Sequence, residues 1–223
     1  MKNWNLILIF CGLYLTSFGQ VAIIQDSDGY SNVRSERNSN SEIVHKLKTD
    51  IAFFYSEDYY DKKVEWVKVF IPKNLYSFDC PDKYLEGYVH KSRIQPLEEL
   101  KEYDKENFTF KLTDKPFEKK DKIIDYVDQK YVFGINGLPP IGVDGNIPKL
   151  EIDKIEIYLN GEKIDVSPAL TMDLFECVDN SKIFNVGNDY FVQLTCSDGA
   201  GYYELVWVID KNGIKQRLVG SIY

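Results

Sequence analysis

His45 and His90 are the only histidines of this 223-residue chain. A cysteine nucleophile needs an imidazole placed as its base, and a hydrolytic zinc site normally needs His ligands. Residues 98–223 contain no histidine, so neither chemistry can reside there. Cys80 lies in Tyr76-Ser77-Phe78-Asp79-Cys80-Pro81-Asp82, which reads as a loop without a motif to activate a thiol toward His90. Asp144, Asp173, Asp198 and Glu204 are the carboxylates that could converge as acid and base, but acidic residues at turns more commonly serve local hydrogen bonding. Asp144-Gly145-Asn146 lacks the regular acid spacing and distal Glu of a calcium loop. No glycine-rich loop follows a strand and opens a helix, so a phosphate cradle has no support. The expectation is a chain with no catalytic residue, no metal and no cofactor.

Binding chemistry has more to work with. In a strand over residues 64–71, Val67, Val69 and Ile71 share one face and Trp66, Lys68 and Phe70 the other. The same parity turns Val89 inward and leaves Tyr88 and His90 on the opposite face. With Tyr30 from an upstream turn, Trp66, Tyr88 and His90 form a candidate aromatic platform for an extended peptide, because flat rings contact a preformed backbone at low entropic cost. For Trp66, completing a thin core is an equally open reading. Asn32 and Arg34 admit a ligand role, since Arg grips carboxylates bidentately. The stronger reading of Asn32-Val33-Arg34-Ser35 ties a loop through backbone hydrogen bonds and sends Val33 into the core.

The elements that must hold these residues are strands. The chain is 44% hydrophobic and 28% charged, as soluble globular proteins are, and its 16 Tyr and 13 Phe favour strand over helix. Residues 20–97 carry short strand signals between turn signals, the spacing of a small barrel of about five strands. Residues 98–107 are charged and poor in strand formers, a linker. Residues 108–223 resume period-two patterns: Phe108, Phe110 and Leu112 alternate with polar residues, and Asn160-Gly161 is a strong type I′ hairpin signal. The expected fold is therefore all-β, a small barrel followed by an antiparallel sandwich-like domain.

The first 19 residues have Lys2, the apolar run from Leu6 to Leu15, and Ser17 and Gly19 at −3 and −1 before Gln20. That pattern predicts a signal peptide over residues 1–19 and a periplasmic or secreted chain from Gln20 onward, with no membrane association after cleavage. Export makes disulfides permissible. Cys177 and Cys196 are candidates for a bridge, and two buried reduced thiols are an equal alternative. Residues 20–97 hold 11 Lys/Arg against 12 Asp/Glu, and residues 98–223 hold 15 against 23. An acidic second half argues against nucleic acid and anionic membranes and permits a basic partner.

Asn32-Val33-Arg34-Ser35 after an apolar first strand, Trp66-Val67-Lys68-Val69, and Glu86-Gly87-Tyr88-Val89-His90-Lys91-Ser92-Arg93-Ile94 together resemble the bacterial SH3 (SH3b) pattern over residues 20–97. The long segment 72–85 departs from it, standing where many members have a short hairpin. The resemblance implies an SH3-like barrel whose ligand is a peptidoglycan stem or cross-bridge peptide, or a protein segment. Such modules often accompany Cys-His peptidases or zinc amidases, which the absence of histidine after residue 97 removes from the second half. The second half loosely resembles a β-domain found beside SH3-type modules in exported bacterial proteins, with no activity attached. The expected function is an exported, non-catalytic binding protein. The rivals are a periplasmic immunity or inhibitor protein that blocks a secreted toxin or wall hydrolase, and an enzyme using carboxylates alone.

Overall fold

The computed structural model describes residues 20–78 and 83–221. The signal-peptide segment 1–19 and Cys80 lie outside them. The described chain is all-β, with 3₁₀ turns as its only helical pieces. No helix among the described residues is long and apolar enough to cross a membrane.

The first half contributes β1 (Val21–Ile24), β2 (Tyr30–Arg34), β3 (Ile43–Lys48), β4 (Phe53–Tyr55), β5 (Trp66–Pro72), β6 (Tyr84–His90) and β7 (Ile94–Pro96). They form one curled antiparallel sheet, a half-barrel, in the order β3-β2-β6-β5-β4-β1-β7. It has seven strands where sequence spacing suggests about five; β7, three residues long, is too short to show a period. The concave side is filled by one face of each strand, including Val33, Val67, Val69 and Val89, all fully buried. Gly87 sits where β6 crosses β2: a Cβ there would lie 2.5 Å from Val33 Cγ1 and 2.9 Å from the Arg34 carbonyl. Only glycine lets the two backbones approach that closely.

The second half contributes β8 (Phe108–Pro116), β9 (Ile124–Val127), β10 (Tyr131–Ile135), β11 (Leu150–Leu159), β12 (Glu162–Ile164), β13 (Lys182–Val186), β14 (Asp189–Cys196), β15 (Tyr203–Asp210) and β16 (Gly213–Gly220). They form a β13-β14-β15-β16 sheet, a β12-β11-β8 sheet and a β10-β9 hairpin. Asn160 and Gly161, at φ +53° and +83°, make the two-residue turn from β11 to β12.

The four-stranded sheet is the middle layer of the molecule. One face packs on β8 and β11 through residues such as Leu194, Leu205 and Trp207. The other packs on the outside of the half-barrel, where Val206, Val208 and Phe191 meet Val21, Ile23 and Phe54. A strand covered on both faces has no polar side to show, which accounts for the unbroken apolar run Leu205-Val206-Trp207-Val208-Ile209. Both edges of this sheet are also covered. Within the segment read as a linker, the Tyr103 amide donates to the Ile183 carbonyl at 2.7 Å, beside β13. On the other edge the Arg217 amide donates to the Leu75 carbonyl at 2.9 Å. Gln216 completes the union: its amide donates to the Ala52 carbonyl and accepts from the Ala52 N–H, each at 2.8 Å.

Cys177 and Cys196 are joined by a disulfide with Cα atoms 4.5 Å apart, tying the segment after Phe175 to the end of β14. The bridge closes a loop with a sequence separation of 19. On the chain-entropy account, closing it stabilises the fold by about 3 kcal/mol. Reduction in dithiothreitol is therefore expected to lower the unfolding free energy by about that amount in urea titrations of the wild type. The Cys177→Ala/Cys196→Ala double variant, already lacking the bridge, should not respond to the reductant. Identical wild-type midpoints with and without reductant would contradict the assignment.

Candidate binding cleft

The outer face of β2, β6 and β5 carries the side chains that the buried face excludes. β2 alternates half-buried Tyr30, Asn32 and Arg34 with buried Ser31 and Val33. β5 and β6 are registered so that Trp66 lies opposite His90 and Lys68 opposite Tyr88. Trp66 and His90 meet edge to face with ring centroids 5.3 Å apart. Between β2 and β6 the ladder consists of a single pair, Arg34 with Tyr88. Beyond that pair a cleft of about 230 Å³ opens, with Tyr30, Asn32 and Arg34 on one wall and Trp66, His90 and Arg93 on the other.

The polar groups in this cleft are held in different ways. His90 Nδ1 accepts from the Ser92 amide, which leaves the ring hydrogen of the neutral form on Nε2. Arg34 donates from Nη1 to the Ser41 carbonyl at 2.6 Å, and its guanidinium lies 5.9 Å from the Trp66 ring centre. Arg34 thus ties its loop and covers the tryptophan at once. Lys46 covers Tyr30 from β3, with Nζ 4.5 Å from the ring centre. Arg93 pairs with Asp26 at 3.3 Å. Asn32 differs from the loop-tying role that sequence assigns it: its Oδ1 is buried and has no hydrogen-bond partner.

Of the four residues singled out in sequence, Tyr30, Trp66 and His90 come together in the cleft. Tyr88 stands beside it on the same face of β6, under the Arg37 guanidinium at 5.3 Å. Asp26, Asp28 and Arg93 also line the cleft and were not singled out. Arg93 belongs to the Glu86–Ile94 motif, and Asp28-Gly29 reads in sequence simply as a turn.

The four carboxylates considered for acid–base work serve elsewhere. Asp173 is buried against Arg217, at 2.6 and 2.8 Å. Glu204 is fully buried and accepts from Gln193, Thr195 and Tyr202. Asp144 and Asp198 are exposed on a separate open cleft. Among the described residues no three His, Cys, Asp or Glu side chains are grouped so as to hold a metal ion. Compared with protein-family models, with curated proteins and with solved structures, the chain finds no match in any of the three.

Proposed function

We propose that this is an exported, non-catalytic binding protein whose SH3b-like half takes a peptide-like ligand, a cell-wall peptide or a protein segment, in the cleft between β2 and β5/β6. The observation that carries this reading is the Trp66–His90 pair. Two aromatic rings stand half-exposed at the mouth of a cleft whose strands already fill the core from their other face, so neither ring is needed to complete that core. Aromatic walls with a few fixed polar groups are how extended peptides are commonly held. Export rests on the sequence of residues 1–19.

Retention of the chain on purified peptidoglycan tests the reading. Wild type should be retained, and Trp66→Ala should lose at least about tenfold in apparent affinity, the scale of losing an aromatic anchor worth 1.4 kcal/mol or more. The melting temperature should barely change, because Val67 and Val69 keep the core intact. If wild type and Trp66→Ala both wash through alike, wall peptide is not the ligand.

A further inference from the structure

The charges around the cleft are arranged by sign. Asp26 and Arg93 neutralise each other at one end, which leaves Asp28 there as a carboxylate without an ion-pair partner among the described residues. It is exposed, in the turn just before β2. At the other end is Arg34, whose Nη1 holds Ser41 while the rest of its guanidinium fork has no carboxylate to meet. Between these ends lies the unpartnered Asn32 Oδ1, a buried acceptor that lacks a donor. An acceptor enclosed in this way is costly unless a bound group supplies an N–H. Tyr30 and Arg34 are four residues apart on one strand, so the rise of a β-strand separates their backbones by about 13 Å. Asp28 lies two residues before Tyr30, in the turn, so a peptide reaching from it to Arg34 spans at least that distance, the reach of about four or more residues of extended chain.

We infer that the cleft selects a short extended peptide by polarity. The amino group of the peptide lies at Asp28, a main-chain N–H donates to Asn32 Oδ1, and the carboxylate lies on Arg34, with Trp66 and His90 against the chain between them. This inference rests on the peptide-binding reading above and adds to it a ligand class, a zwitterionic peptide of about four or more residues, and a direction.

Peptide capping separates the two levels of the claim. The probe is tetra-alanine with both termini free, its N-acetyl form and its C-terminal amide. Each is titrated into the ¹⁵N-labelled full chain while the indole N–H signals are followed. Trp66→Phe assigns the cleft signal, and Trp207, fully enclosed in the core, supplies a signal that should not move. The free peptide is expected to shift the Trp66 resonance, and each cap to weaken binding about tenfold, as loss of one charge-assisted contact does. Arg34→Met should abolish the difference between free and amidated peptide, and Asp28→Asn the difference between free and acetylated peptide. Three forms bound within twofold of one another would overturn the polarity while leaving the cleft a peptide site. No movement of the Trp66 signal with any form up to about 20 mM, well beyond the millimolar range of weak binding, would overturn the underlying reading as well.

Discussion

Arg217→Met should lower the unfolding free energy by about 3–5 kcal/mol, the cost of leaving one member of a buried ion pair without the other. Arg217 is fully enclosed in β16. Its guanidinium meets both oxygens of Asp173 and also donates to the carbonyls of Leu170 and Tyr76, each at 2.8 Å. Methionine fills much of the same volume and supplies none of these donors, so the Asp173 carboxylate is stranded in a dry site. In a domain of this size the loss corresponds to a fall of about 10 °C in melting temperature, measured by calorimetry. Adding Asp173→Leu removes the stranded charge and should recover most of the loss. It should not recover all of it, since the carbonyls of Tyr76, Ser77 and Leu170 still lack their guanidinium donors. The segment 73–78 belongs to the first half and is held by an arginine of the second, so it should loosen in both variants. Trypsin is then expected to cut after Lys73 or Lys83 faster than in wild type. A single variant that melts within 2 °C of wild type would mean that water reaches the pair.

That clamp shows where sequence reading stops in this chain. The alternation around Trp66 and Tyr88 is legible because each strand has one buried face, and a period of two then assigns every side chain to a side. The same rule identifies Phe108, Phe110 and Leu112 as core. It cannot sort Leu205 to Ile209, an unbroken apolar run with no period to read. One of its two covers is the outside of the half-barrel, and nothing local in β1 or β4 marks Val21, Ile23 and Phe54 as facing a second sheet. Arg217 is harder still. A charged residue in a closing strand reads as solvent-facing, and its partners stand 44 and about 140 positions upstream. Ion pairing at that separation leaves no periodic trace. In the cleft, the sequence places the aromatic residues on their face but misassigns Asn32. Arg34 and Ser35 tie the loop, the guanidinium to the Ser41 carbonyl and the Ser35 amide to the Glu42 carbonyl, while Asn32 Oδ1 has no partner. Asp28 is missed because a turn explains it sufficiently, and its position at the end of an open ladder depends on β2 and β6 parting after one pair.

Alkaline pH should unfold the protein cooperatively, beginning just above pH 10. Tyr55 is fully buried in the half-barrel, donating to Glu98 at 2.7 Å, and burial foremost, then its bonds with Tyr60 and Glu98, pushes its pKa far above the ordinary phenol value. Tyr203 donates to the Phe175 carbonyl at 3.0 Å. Burial raises its pKa too, with Asp173 adding to the effect and Arg217 opposing it. Tyr84, at the junction of the two halves, is raised by burial. In each case the folded state holds the proton more tightly than the unfolded state, whose phenols titrate near pH 10. Below that pH both states are protonated and the stabilisation is whole. Above it Tyr55 and Tyr203 release protons only in the unfolded chain, so stability falls by about 1.4 kcal/mol per pH unit for each of these two. Tyr55 and Tyr203 together give about 3 kcal/mol per pH unit and Tyr84 adds to the fall, against a total stability on the order of 5–15 kcal/mol. Because one lies in each half and the third between them, the halves should fail together. The melting temperature is expected to be flat from pH 7 to 9 and to drop steeply from pH 10 to 12. The 295 nm absorbance of the buried phenolates should appear only as near-ultraviolet dichroism is lost. Tyr55→Phe should flatten the slope by up to about half. A melting temperature that holds through pH 11.5 would show that these three hydroxyls ionise without leaving the fold.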